Sequence, residues 1–185
     1  MNSRWLIPSI LLAPLHPAAI AVAADYLGVD NAQRVISPEA DAFEELVVDA
    51  GATHRQRVAE LAGPQPSHGV TRFWRASRNG MVLGYFCVDE VIGRQSFISY
   101  ALGIDVDGRM RRPEIMAYRE SHGSEIRNAA WRAQFVQRAD LEHLRFRSDI
   151  KNISGATLSS EHVTQGVRWL VAYWQVLLRG SDGPA

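Results

Sequence analysis

Cysteine is nearly missing from this chain: Cys87 is the single one among 185 residues. No internal disulfide can form, and no cysteine-based metal site can be assembled. Cys87 lies in an apolar, strand-like run and reads as a small buried hydrophobe. Excess charge of either sign is also missing, because 20 Lys and Arg balance 20 Asp and Glu. The basic side chains, almost all arginine, are scattered without a cluster, so no nucleic-acid footprint is visible. There is no G-x-G-x-x-G for a dinucleotide and no G-x-S-x-G elbow for an acyl-enzyme nucleophile. Internal repeats and low-complexity segments are absent too. With 46% hydrophobic residues, the chain is long enough to bury one substantial core.

What is present begins with a short positive start, MNSR, leading into WLIPSILLAPLHPAAIAVA, where Ala21-Val22-Ala23 fits the small-x-small pattern of signal cleavage. Pro8, Pro14, Pro17 and His16 interrupt the apolar stretch, which favours a removed signal over residues 1–23 rather than an uncleaved anchor. Either way the body of the protein is expected outside the cytoplasm, which in a Gram-negative cell means the periplasm.

A helix and strand extension is expected over 24–66. LGVDNAQRVI suggests a brief helix with Val29, Ala32, Val35 and Ile36 on one face, stopped by Pro38. FEELVVDA reads as a strand and ATHRQRVAELAG as a helix ending at Gly63-Pro64. AGPQPSHG marks a boundary, and the main domain is expected over 67–179, with a tail over 180–185. There VTRFWRAS and MVLGYFCVDEVI flank Asn79-Gly80, and QSFISYALGIDV and RMRRPEIMAYRE flank Asp107-Gly108. Both are hairpin signals, so an antiparallel sheet of about four strands follows, with Pro113 at a strand start or on an edge. SEIRNAAWRAQFVQRA switches to helical spacing, with Ile126, Ala130, Ala133 and Phe135 or Val136 to one side and Trp131 beside them. In the last segment Val163, Val167, Leu170, Val171, Trp174 and Leu178 recur every three or four residues, an amphipathic C-terminal helix. Strands followed by helices give an α+β fold.

Between sheet and last helix stands ISGATLSSEH. Ser154-Gly155-Ala156-Thr157 is a tight turn of tiny residues followed by a hydroxyl, and Ser159 or Ser160 can cap the helix, with Glu161 in its first turn. Such an N-terminus is either simply a capped helix or an anion site that would hold a phosphate near Thr157.

SGATLSS followed by an apolar helix resembles the FMN-binding domain family, which includes flavin-bearing subunits of Rnf-type complexes and of sodium-translocating NADH:quinone reductases. GMVLGYFCVDEVIG, ISYALGIDVDGRMRRPEIMAYRESHG and AAWRAQF resemble the family's hairpins, Glu-containing loop and following helix, so the likeness runs from Val70 to Leu178. In that family an FAD-dependent flavin transferase esterifies FMN through its phosphate to the threonine of Asp-x-x-Ser/Thr-Gly-Ala-Thr. The resemblance therefore implies FMN on Thr157, with Ser154, Gly155, Ala156, Leu158, Ser159 and Ser160 around the phosphate and Glu120, His122 and Gly123 near the flavin ring. The motif's acidic position falls on Lys151, a cation able to attract phosphate, and the nearest acid is Asp149. The loop RESHGS lacks the Thr-Pro-Gly-Leu-Gly continuation of the large-complex subunits, so neither complex is assigned. The implied role is an exported electron carrier rather than a stand-alone enzyme, with a membrane oxidoreductase as electron partner.

Other candidates carry less. Glu120, His122 and Glu125 have H-x-x-E spacing but no second histidine nearby, so no metal is expected. Trp131, Trp169, Tyr173 and Trp174 read as core at helical spacing rather than a flavin box. Glu44-Glu45 and Asp89-Glu90 point to opposite faces of their strands and read as solvated or structural. A non-flavinylated scaffold of the same fold, or a small exported serine hydrolase using Ser154 or Ser160 with His122 or His162, are the alternatives.

Overall fold

Asn79 and Gly80 take positive φ angles of 51° and 77°, the left-handed pair that a two-residue hairpin turn needs. They fold β3 (Arg72–Arg78) back onto β4 (Met81–Ile92). β4 turns again through residues 93–96 into β5 (Phe97–Asp105), which pairs with β6 (Glu114–Tyr118). The computed structural model describes residues 24–48, 51–64 and 71–179. The expected signal over 1–23, most of the boundary AGPQPSHG and the tail over 180–185 lie outside the described residues.

The sheet has six antiparallel strands in the order β1-β6-β5-β4-β3-β2, two more than the hairpin signals predict. β1 (Ala24–Asp25) and β2 (Ala42–Leu46) come from the N-terminal segment and cover the two sides of the meander. A two-residue strand is too short to leave a periodic signal, which is why β1 is silent in sequence. β6 starts directly after Pro113, as expected, yet it is not an edge because β1 pairs with it. Asp107-Gly108 does not make a two-residue hairpin. The Asp105 carboxylate accepts the Asp107 and Arg109 N–H groups at 3.0 and 2.8 Å, starting a longer loop.

α1 (Val29–Ile36) packs on one face, where Ala32, Ile36, Trp74, Phe86, Ala101 and Met116 form a small core. Its buried stripe is Ala32, Gln33 and Ile36, whereas Val35 is 52% exposed, because eight residues bury only one narrow face. α2 (Ala52–Ala62) and α4 (Thr157–Tyr173) contribute to the larger core on the other face. Cys87 lies in that core, and burial pushes its thiol well above the usual range.

The helix expected over SEIRNAAWRAQF is broken into a 3₁₀ turn at Ser124–Arg127, the short α3 (Ala129–Arg132) and a second 3₁₀ turn at Ala133–Phe135. The break is chemical: the Asn128 side chain accepts the Ala130 N–H at 2.8 Å, ending one turn and starting the next. Ile126, Trp131 and Phe135 are buried, while Ala130 and Ala133 are exposed, contrary to a single helical face. Buried Arg132 pairs with Glu114 and donates to the Pro113 carbonyl at 2.7 Å, tying this segment to β6.

α4 carries the expected apolar face, with Val163, Val167, Leu170 and Val171 buried, and continues as a wider turn at Trp174–Leu178. It packs tightly on the sheet at Gly166, where a Cβ would stand 2.3 Å from Tyr100 Oη and 2.8 Å from Val91 Cγ1. Tyr100 Oη donates to Asp89 Oδ2 at 2.6 Å, and Thr71 Oγ1 donates to Asp89 Oδ1 at 2.6 Å. Asp89 is therefore a buried structural acceptor. Burial, reinforced by the Asp89 charge, holds the Tyr100 phenol well above its ordinary range. Among the described residues no helix is long and apolar enough to cross a membrane.

Gly166→Ala tests this crossing. Alanine gains roughly 1 kcal/mol of helix propensity, but overpacking costs about 1–3 kcal/mol and displacing Tyr100 from a buried carboxylate costs about as much again. Net destabilisation is expected in urea unfolding, and Tyr100→Phe in the same chain should recover part of it by removing the clashing oxygen.

Candidate functional site

The residues before α4 are small because the chain turns tightly there. Gly155 has φ 84°, and the Ala156 N–H closes the turn on the Ile153 carbonyl at 3.0 Å. α4 then starts at Thr157, two residues before the first serine expected as its cap. Ser160, one turn in, bonds back to the Ala156 and Thr157 carbonyls at 2.9 and 3.0 Å and approaches Asn152 Oδ1 at 3.2 Å. Ser159 Oγ meets Tyr118 Oη at 3.2 Å. Neither serine caps the helix, and Glu161 falls beyond the first turn, which contains no acid. Ala156, the N-cap, has no side chain able to accept. The positive end of α4 is thus left open, with unsatisfied N–H groups in its first turn.

That end faces a cavity of about 560 Å³ built by three segments. The turn between β4 and β5 contributes Arg94 and Gln95, the loop after β6 contributes Glu120, Ser121 and His122, and the start of α4 contributes Gly155 to Ser159. Of the residues singled out in the sequence, Glu120, His122, Gly155, Ala156, Thr157, Leu158 and Ser159 line it. Ser154 is exposed in the preceding turn, and Ser160 is buried against the helix backbone. Gly123 is buried behind the loop, its Cβ position facing Tyr118 Oη and Ala156. Half-buried Thr157 makes no side-chain hydrogen bond among the described residues.

Lys151 does not line the cavity. Its carbonyl accepts Trp131 Nε1 at 2.7 Å and its N–H donates to Gln134 Oε1 at 2.9 Å, which fixes the backbone away from the helix start while the side chain is exposed. The expected phosphate attraction by Lys151 is not supported by this placement. Ser160 is likewise unsuited as a nucleophile, since its hydroxyl is held by carbonyls and His162 Nδ1 donates to the Ile92 carbonyl at 2.6 Å. His122 Nδ1 meets the neighbouring Ser121 Oγ at 2.9 Å. Trp131, Trp169 and Trp174 are buried, and none of them lines the cavity.

Tyr118, Arg94, Gln95 and Ser121 are parts of the site that sequence reasoning passes over. Tyr118 closes the end of β6: its Oη donates to the His122 carbonyl at 2.5 Å while sharing the bond with Ser159. Loop and helix start are joined through this one phenol. Burial raises the Tyr118 pKa, the Ser159 bond opposes, and the Glu120 and Glu125 charges add to the rise. Arg94 and Gln95 belong to GRQS, a glycine-led break between two apolar runs that could have marked a turn.

Residues 93–172 match the family model of an FMN-binding domain. The chain carries an FMN-binding domain. The matched stretch includes every segment that lines the cavity, and FMN is the cofactor that this domain takes. No curated protein matches the chain. The residues present fit the cofactor: the volume lies within the roughly 300–1,000 Å³ of cofactor pockets. The uncapped helix start suits a phosphate, and exposed Leu158 offers apolar surface at the opening.

Tyr118→Phe is expected to lower stability by about 1 kcal/mol at neutral pH, through loss of a shared hydrogen bond. The raised phenol adds a pH signature. Above the unfolded tyrosine value of about 10, the unfolded chain releases this proton before the folded one, so stability falls as pH rises through that window. Urea midpoints at about pH 8 and about pH 11 should therefore drop less in the phenylalanine variant than in the parent.

Proposed function

We propose that this chain is an exported electron-transfer flavoprotein whose FMN is esterified through its phosphate to Thr157. The observation that carries this reading is the threonine itself. It stands at the first position of an uncapped helix, lines the cavity, and has no competing side-chain hydrogen bond among the described residues. Residues of negligible size before it leave the hydroxyl approachable.

In the attachment step Thr157 Oγ1 bonds to the riboflavin-side phosphorus of FAD. The pyrophosphate P–O bond breaks, AMP departs, and the hydroxyl proton passes to a base of the flavin transferase. FMN, once bound, supplies the electron-accepting and electron-donating ring. The protein's share is placement: first-turn N–H groups of α4 bind the phosphate, Ser159 is held by Tyr118, and the loop at Glu120 to His122 forms the opposite wall. The short positive N-terminus and apolar run support export to the periplasm, and covalent attachment keeps the cofactor from diffusing away there. A membrane oxidoreductase is the electron partner in this reading. Non-covalent retention is the second reading, favoured by Lys151 at the family's acidic position.

Intact mass after co-expression with a flavin transferase decides between them. The expected result is an increase of one FMN less one water, with colour surviving denaturation, both lost in Thr157→Ala. Colour that leaves on denaturation, with unchanged mass, establishes the second reading.

A further inference from the structure

We propose that Arg94 is the side chain that pairs with the FMN phosphate, and that Glu120 is a positioning residue that holds Arg94 there rather than a ligand of the flavin. The inference rests on the FMN reading of this cavity and assigns two roles within it.

Glu120 is committed to protein. Its Oε1 accepts the Gln95 N–H at 2.7 Å and the Ser96 N–H at 2.9 Å. Those donors belong to the β4–β5 turn, which also closes on itself through the Gly93 N–H and the Ser96 carbonyl at 2.7 Å. A carboxylate that accepts two backbone N–H groups works as a staple across the cavity, joining the end of β6 to a turn that periodicity alone would leave loose. Gly93 makes room for it: a Cβ at that position would lie 2.5 Å from Glu120 Oε1. The staple brings Arg94, the next residue, to the cavity wall.

Arg94 has the charge the site otherwise lacks. Among the lining residues it alone carries a permanent positive charge, and it has no ion pair or side-chain hydrogen bond among the described residues. Lys151, the cation expected near the motif, is turned elsewhere. A phosphate at the α4 start remains anionic even as a diester, and a planar guanidinium suits its paired oxygens.

The test compares FMN with riboflavin, which lacks the phosphate, on full-length protein from cells without a flavin transferase, by titration of flavin fluorescence. The parent is expected to bind FMN at least about tenfold tighter than riboflavin. Arg94→Gln should cut that preference several-fold, the α4 N–H groups keeping the remainder, while riboflavin binding persists, which also reports a folded cavity. Glu120→Ala gives a sign test. Deleting a carboxylate beside an anion site tightens FMN binding on charge alone, whereas loss of the staple weakens it; weakening is expected, with faster amide exchange at Gln95 and Ser96. Glu120→Gln keeps an accepting oxygen and should retain the preference, and Gly93→Ala should behave like Glu120→Ala. An unchanged FMN-to-riboflavin ratio in Arg94→Gln, or tighter FMN binding in Glu120→Ala, overturns the assignment and leaves the FMN reading standing. A parent chain that binds neither flavin overturns the assignment and non-covalent retention together, while the mass test on co-expressed protein decides covalent attachment separately.

Discussion

The crossing of α4 over β4 and β5 at Gly166 sets the position of everything built on that helix. Backbone and Tyr100 approach so closely that no Cβ fits, and the same tyrosine is anchored on buried Asp89. A contact held by sterics and by a buried hydrogen bond permits neither sliding nor rotation without a penalty of a few kcal/mol. Thr157 lies nine residues earlier on the same rigid rod, about 14 Å along its axis at the helical rise. The placement of the helix start is therefore decided in the core.

At the other end of that rod, two side chains convert a gap between loops into a site with walls. Tyr118 joins the loop after β6 to the first turn of α4, and Glu120 joins that loop to the β4–β5 turn. Both leave from the same strand end, two residues apart in sequence. The cavity is consequently framed by hydrogen bonds that begin at one point of the sheet, while the α4 terminus supplies the electrostatic complement for phosphate. The walls of this cavity in the FMN-binding domain are thus fixed by hydrogen bonds between strand end, turn and helix start.

Much of the fold is legible in the residues. Asn79-Gly80 announces its turn, the spacing of Val163 to Leu178 announces α4, and the order of strands then helices gives α+β. Features decided by long-range partners are not. β1 has two residues and is defined only by its pairing with β6, and the segment after Gly123 breaks where the Asn128 side chain accepts the Ala130 N–H. In the site, the small-residue turn and Thr157 are visible because their chemistry is local. Tyr118 and the turn at Gln95 and Ser96 are not, since what places them is contact with chain elsewhere. The helix begins at Thr157 rather than at a serine cap, with Ser159 meeting Tyr118 across the fold and Ser160 bonding back to the carbonyls of its own first turn.

An α-helix that opens without a side-chain cap carries a local thermodynamic deficit at its first turn. Water offsets part of it, and an anion at that terminus would offset more. Since that anion meets the aligned N–H groups only when the chain is folded, occupancy and folding are linked equilibria, and saturating cofactor draws the native state along with it. On the proposed placement of the phosphate, the segment from Gly155 to Ser159 would gain most from occupancy, and loading the cofactor would protect the fold at the same place.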